Sequence, residues 1–340
     1  MATRADVARL AGVSGSTVTY ALTGKRSISE ETKKRVLKAV RELDYHPNFA
    51  AGLLAGGKSK SLAMLFPTGE AGISPSALDY FTGAANGARE CGYHLLLWPS
   101  EETEMQEIQG FVNSGLVAGV LLMEITLNDE RVETLFGAGI PITLIGRTAD
   151  NRNLNYVDRD FVKVANIAVE YLHSLGHRHV AFINTARSRG VANLGNDIRF
   201  HEAITTRAQE MNMTAVELLA ENKASAGREA LLMLCEIYPE VTAVMGLNDL
   251  STFGFMSAAA EFEVKIPEHL SLMSLSSSPS QTTMSWPPLT TINSPSHRMG
   301  RDAARILIDQ LNNPKHEVQQ HLWVGDLEVR GTTAVARSSK

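Results

Sequence analysis

From Ser61 onward, short apolar runs alternate with longer segments of helical periodicity, and this alternation confines the chain to few folds. Residues 62–66 read as a strand, 78–91 as a helix ended by Gly92, 94–98 as a strand, 101–113 as a helix, 117–123 as a strand, 129–137 as a helix and 141–145 as a strand. A polar bridge, residues 147–155, precedes a second run: helix 161–175, strand 180–183, helix 197–211, strand 216–219, helix 226–237, strand 243–247, helix 250–261 and strand 270–275. Strands joined by such helices make right-handed βαβ units, so two runs imply an α/β body of two doubly wound lobes with parallel sheets. Ligands of such sheets bind outside the carboxyl ends of the strands, here in the cleft between lobes.

The first 60 residues have a different texture. Val7, Ala8, Leu10 and Ala11 give one short helix an apolar face, and Gly12 breaks it. Ser14 is a good N-cap for a second helix, in which Val18, Ala21 and Leu22 recur at helical spacing before Gly24. A third helix, residues 29–43, opens on Ser29 with Glu30 and Glu31 in its first turn and carries an apolar stripe of Val36, Leu37, Val40 and Leu43. Two short helices joined by a tight turn suit a helix-turn-helix, whose second helix enters the DNA major groove N-terminal end first. Gly15, Ser16, Thr17, Thr19 and Tyr20 then face outward, and all but Gly15 can hydrogen-bond to bases and phosphates. A small helical hairpin with a solvated polar face would show the same pattern. Beyond it, Pro47 cannot continue helix three, and residues 48–55 can form one or two helical turns before Gly56 and Gly57.

Charge separates the two parts. Residues 1–60 carry eleven Lys and Arg against five Asp and Glu, a net +6, whereas the 340-residue chain is −5, leaving −11 for the body. A basic head on an acidic body suits phosphate contact by the head alone. Cys91 and Cys235 imply no disulfide framework, fit a reducing cytoplasm and are expected to pack in cores. Arg4, Asp6 and Arg9 interrupt any apolar leader, and no apolar run is long enough for a membrane span, so no membrane partner is expected. The stretch from Gly52 to Ser59 matches GxxxxGK[ST] letter for letter, but a phosphate cradle needs a strand before it and a helix after it, and here the order is reversed. His177 and His179 lack neighbouring Cys or carboxylate ligands, so no metal is expected; no cofactor motif and no nucleophile–base arrangement is discernible, so an enzyme is not expected either.

With these residues in view, the sequence resembles the LacI/GalR family of transcriptional regulators along nearly its whole length. In the head the likeness rests on the run from Asp6 to Ser14 followed by Thr17-Val18, on Ser29, Glu31 and Thr32, and on Tyr45, Pro47 and Asn48. In the body it rests on Leu175-Gly176-His177-Arg178, Asn248-Asp249, Pro287-Pro288-Leu289-Thr290-Thr291 and the ending from Leu327 to Thr333. The resemblance implies a helix-turn-helix domain (1–45), a hinge helix (46–60) and a periplasmic-binding-protein-like body whose N-terminal lobe takes 61–160 and 290–320 and whose C-terminal lobe takes 161–289 and 321–340. It implies a cytoplasmic repressor, bound as a homodimer to a pseudo-palindromic double-stranded DNA operator. Gly15, Ser16 and Tyr20 match reading positions, Thr17 and Thr19 match phosphate contacts, Ser14 joins the DNA-binding set at the head of the second helix, and Asn48, Ala51 and Leu54 belong to the hinge, where a leucine wedges between base pairs. Tyr20 replaces a common arginine, so a bidentate guanine contact is not expected there, and Gly52 lowers hinge-helix propensity by roughly 1 kcal/mol relative to Ala.

The family's effectors, often sugars or nucleobases, bind between the lobes. Here the matching positions are Ser74, Ser76, Arg189, Asn196, Asn248 and Ser276, and Trp286 is placed to stack on a ligand ring. Asn196 stands where the family carries arginine and Ser276 where it carries aspartate, and losing such charged hydrogen bonds, about 1.5–3 kcal/mol each, argues against an ordinary monosaccharide in the usual pose. Three readings stay open: a different small polar effector, a weakly bound one, or none. An alternative from another class is a solute- or nucleotide-binding protein with a vestigial DNA-binding head.

Overall fold

The computed structural model describes residues 2–23, 26–45, 59–67, 75–100, 105–185, 194–313 and 315–337. The chain divides into two compact units, residues 1–59 and 60–340. In the first, α1 (Arg4–Ala11) opens on a reciprocal capping box: the Asp6 N–H donates to Thr3 Oγ1 (3.3 Å) and the Thr3 N–H to Asp6 Oδ2 (2.9 Å). Gly12 ends it in the left-handed region (φ 63°), which a glycine enters without a Cβ penalty. Helices α2 (Gly15–Thr23) and α3 (Glu30–Glu42) follow, and Val7, Val18 and Val36 meet in a small core with Ala8, Ala11, Ala21 and Ala39. Leu10 and Leu37, expected in that core, are exposed. The inward faces centre on Val7, Ala8 and Ala11 and on Val36, Ala39 and Val40, and Leu10 and Leu37 fall on the outer margin of those faces.

The second unit contains two six-stranded sheets. One has the order β11-β5-β4-β3-β1-β2 and is parallel throughout, from β1 (Ser61–Pro67), β2 (His94–Ser100), β3 (Gly119–Met123), β4 (Ile142–Ile145), β5 (Asn155–Arg159) and β11 (Gln320–Trp323). The other repeats the plan as β12-β10-β9-β8-β6-β7, from β6 (His179–Thr185), β7 (Thr214–Ala220), β8 (Ala243–Gly246), β9 (Ser271–Ser274), β10 (Thr290–Ile292) and an antiparallel edge, β12 (Leu327–Glu328). Helices α4 (Pro75–Glu90), α5 (Met105–Asn113), α6 (Glu130–Gly137) and α12 (Ser296–Asn312) go with the first sheet. Helices α7 (Phe161–Ser174), α8 (Gly195–Glu210), α9 (Ala224–Ile237) and α10 (Asp249–Glu261) go with the second, and the short α11 (Pro279–Thr282) follows β9. Each sheet has an apolar cluster on both faces, which is why β1 and β3 read as unbroken apolar runs rather than alternating ones.

Strand β5 was not legible. Its first residue closes a segment that reads as a polar bridge, and Asn155, Asp158 and Arg159 are all buried in it. The strand lies between β4 and β11, and its polar groups find distant partners: Asn155 Oδ1 accepts the Gln319 N–H (2.8 Å) and its amide donates to Gln310 Oε1 (3.1 Å). The crossings between lobes also differ from the expected 290 and 320. Thr290 and Thr291 pair with Met273 and Ser274 in the second sheet, and Gln320–Trp323 pairs with β5 in the first, so the chain crosses at 293–295 and 324–326. Cys91 and Cys235 are exposed, not in cores: Cys91 lies past the end of α4, and Cys235 one residue beyond Leu234 on α9.

The segment after β12 is fastened to the second lobe. His177 is buried, with Nδ1 2.8 Å from Thr242 Oγ1 and Nε2 3.1 Å from the Ala334 carbonyl. A carbonyl only accepts, so Nε2 carries the proton and Nδ1 accepts from threonine. Burial pushes the imidazole pKa down, which keeps this neutral tautomer.

Candidate functional site

In the head, Ser14 Oγ accepts the Thr17 N–H (3.2 Å) and caps α2, and it also lies 2.7 Å from Ser16 Oγ and 2.9 Å from Thr17 Oγ1. Thr19 bonds back to the Gly15 carbonyl (3.1 Å) and accepts from Arg4 Nη1 (3.5 Å). The Arg26 guanidinium lies 5.9 Å from the centre of the Tyr20 ring. Ser14 and Ser16 are exposed at the start of α2, while Gly15, Thr17, Thr19 and Tyr20 are half-buried beside them. Arg4 and Arg26 were missed by sequence reasoning; both flank the polar face only once the turn has folded. Asn48, Ala51 and Leu54 lie outside the described residues, as do Ser74 and Arg189.

In the body, the carboxyl ends of both sheets enclose a cavity of about 290 Å³. Ser76, Asn196, Asn248 and Ser276 all line it. Trp286 does not: its side chain is 90% exposed. The Leu289 N–H donates to the Thr282 carbonyl (3.0 Å), closing a loop whose tip carries Trp286 outward, so it is not placed to stack on a ligand in the cavity. The charged lining, Glu124, Arg147, Asp158, Arg159, Arg199 and Asp249, was also missed. Only Asp249 lay within a motif; the others depend on where β3, β4, β5 and α8 end.

These charges are ordered. Asp158 Oδ2 lies 3.2 Å from Arg147 Nε, and its Oδ1 accepts the Arg159 N–H (2.8 Å). Burial nevertheless pushes its carboxyl up to about 6, because desolvation outweighs that hydrogen bond and the nearby guanidinium groups of Arg147, Arg199 and Arg159. Asp249 accepts from Ser277 Oγ (2.7 Å), Gln281 Nε2 (3.0 Å) and Ser276 Oγ (3.4 Å). Asn248 caps α10 by accepting the Ser251 N–H (3.1 Å). Glu124 follows β3 in the left-handed region (φ 52°), held there by Arg131, whose Nη2 donates to the Met123 (3.0 Å) and Glu124 (2.9 Å) carbonyls.

The lobes also bond directly across the cleft. Arg199, from the second lobe, donates to the Arg147 (3.0 Å) and Thr148 (2.8 Å) carbonyls of the first. The Gly195 N–H donates to the Ile125 carbonyl (2.9 Å), and Arg159 Nη1 donates to the Leu275 carbonyl. A Cβ on Gly195 would stand 3.0 Å from the Arg147 carbonyl oxygen and against Arg199 Nη1, so a side chain here would push Arg199 off that carbonyl.

A family model described as bacterial regulatory proteins of the lacI family matches residues 3–48, and one described as a periplasmic binding protein-like domain matches 169–333. The HTH-type transcriptional regulator AglR of Rhizobium meliloti (strain 1021) is 30% identical over 343 aligned positions, covering 97% of this chain and 94% of that protein. The chain belongs to the LacI family of transcription regulators. Also similar to this LacI-family regulator is the HTH-type transcriptional regulator CelR of Thermobifida fusca, 26% identical over 94% of this chain and 96% of its own. Among solved structures, a lac repressor dimer bound to operator and the anti-inducer ONPF superposes with a TM-score of 0.82 at 21% identity, covering 98% of this chain and 99% of that one. A CelR–cellobiose complex superposes at 0.72 and 23% identity, covering 98% of this chain and 100% of the other. The α/β body with two parallel-rich sheets and the helix-turn-helix head are thus the fold of the family, and the chain is a DNA-binding regulator.

Proposed function

We propose that this LacI-family regulator is a repressor that acts in the cytoplasm, binds a pseudo-palindromic operator as a homodimer, and changes DNA affinity when a small polar molecule occupies the inter-lobe cavity. The observation that carries the effector reading is the cavity itself. It collects polar groups from the carboxyl ends of two sheets that touch each other through a few hydrogen bonds, so a ligand touching both lobes shifts the balance between open and closed forms. In the head, the exposed hydroxyls of Ser14 and Ser16, with Gly15, Thr17, Thr19 and Tyr20, form the reading face, and Arg4 and Arg26 add cations at its margin. Asn48, Ala51 and Leu54 supply the hinge contacts, and Ser74 and Arg189 join Ser76, Asn196, Asn248 and Ser276 around the effector.

Support for the dimer comes from the sheet edges. Strand β2 ends one sheet and β7 the other, and they expose Leu96, Leu97 and Leu219; α9 adds Leu232, Met233 and Ile237. Exposed apolar residues on unpaired edge strands call for a covering partner.

The test is selection of genomic fragments by the purified full-length chain at moderate salt, followed by release of the selected DNA with fractions of a small-metabolite extract. A shared palindrome and one releasing or retaining fraction are expected. Enrichment of single half-sites counts against the dimer, and no response to any fraction counts against the effector.

A further inference from the structure

We propose that the molecule held in the cleft carries an anionic group, a phosphate or a carboxylate, and that this group docks on the guanidinium of Arg159. The inference rests on the reading of the cleft as an effector site. Arg159 ends β5, is 5% exposed, and lines the cavity. Its Nη1 donates to the Leu275 carbonyl, and the Phe200 ring centre lies 5.6 Å from its guanidinium carbon. Its Nε and Nη2 have no hydrogen-bond acceptor among the described residues. These two nitrogens form one edge of the guanidinium, with parallel N–H groups spaced to meet two oxygens of one carboxylate or phosphate. Asn248 adds another spare donor: its Oδ1 is occupied by Ser251, and its buried Nδ2 has no acceptor among the described residues.

The surrounding charges are otherwise committed. Arg147 faces Asp158, and Arg199 donates to two backbone carbonyls. Asp158 has Arg147 and a backbone N–H, Asp249 has three side-chain donors, and Glu124, whose carboxyl pKa is pushed up by burial against the protein, has Arg131 as its neighbouring cation. What remains without an acceptor among the described residues is the Arg159 edge and the Asn248 amide. A guanidinium accepts nothing, so the complementary ligand group offers oxygen acceptors, and although Asp158 and Asp249 act on the Arg159 charge at a distance, its buried Nε–Nη2 edge favours an acceptor that is itself charged. A neutral sugar hydroxyl offers neither the charge nor the paired geometry.

Calorimetric titration of the full-length chain with glucose, glucose 6-phosphate, glucuronate and inorganic phosphate tests this. At least one anionic sugar should bind about tenfold or more tightly than glucose, the margin expected of a charge-assisted bidentate pair, and the two anionic sugars separate phosphate from carboxylate. Arg159→Met should remove the preference, and Arg159→Lys, which keeps charge without the fork, should retain part of it. Arg159→Met also removes the Nη1 bond to the Leu275 carbonyl, so a modest fall in the unliganded melting temperature is expected, whereas Arg159→Lys with full wild-type preference for the anionic sugars would show that the fork is not what they dock on and overturn the proposal. Binding of the anionic sugars by Arg159→Met as tightly as by wild type would overturn the anionic assignment while leaving the effector reading intact. Binding of none of the three anions would also overturn it, and the effector reading would then stand or fall on the DNA-release experiment.

Discussion

Ser14 and Ser16 carry the same side chain two positions apart but do different work. Ser14 satisfies an orphan N–H at the start of α2, so Ser14→Ala should cost about 1 kcal/mol of head stability and weaken DNA binding through it. Among the described residues Ser16 has no such backbone bond and its hydroxyl meets that of Ser14, so Ser16→Ala should lower operator affinity with the melting temperature unchanged. Circular dichroism melts beside DNA titrations separate the two, and equal destabilisation by both would contradict the assignment. Asp158 gives a pH signature. With a folded pKa of about 6 against 3.8 unfolded, the folded state holds this proton more tightly. The stability it contributes is present below the unfolded value and is lost as pH rises through about 6, a swing of roughly 3 kcal/mol. Urea unfolding at pH 5 and pH 7 should therefore show a smaller loss in Asp158→Asn than in wild type; identical slopes would mean the carboxylate is better solvated than its burial indicates.

At the level of elements, β5 is where the sequence misled and where the site is built. Polar residues at 155, 158 and 159 cancelled the strand signal, yet the strand forms because β4 and β11 flank it and distant side chains satisfy it. Most other elements were legible because their signals are local: Gly12 in the left-handed region, Ser29 at the start of α3, the apolar run of β1. Helix α8 makes the other half of the cleft. Arg199→Met removes two charged donors to first-lobe carbonyls, a loss of about 2 kcal/mol or more in lobe contact. The expected result is a larger radius of gyration by small-angle scattering and altered operator affinity. Unchanged scattering would show that Gly195, Leu194 and the crossing segments at 293–295 and 324–326 hold the lobes without it.

For the molecule as a whole, the edge strands make a prediction about assembly. Leu96→Glu places a charge on the exposed apolar edge of β2, where a monomer would tolerate it and a dimer would not. Sedimentation should show dissociation rising by about 100-fold or more, with operator affinity falling in step. An unaltered dimer would move the interface elsewhere. Raising salt from about 50 to 200 mM should weaken operator binding steeply, because the basic head neutralises phosphates.

The sequence alone determined the class: short unbroken apolar runs, helical stripes, caps and turn glycines are encoded within a few residues of one another, and their order specified two doubly wound lobes behind a basic helical head. The family resemblance pointed to Ser76, Asn196, Asn248 and Ser276, and all four line one cavity, each just past a strand or at the start of a helix. Only the tertiary structure decided that Arg159 is buried with a free edge, that Asp158 is set against Arg147, that Arg199 spans the lobes, and that Trp286 stands in solvent. Those outcomes depend on groups brought together from positions far apart in the chain, and desolvation acts on a charge only after the fold has enclosed it.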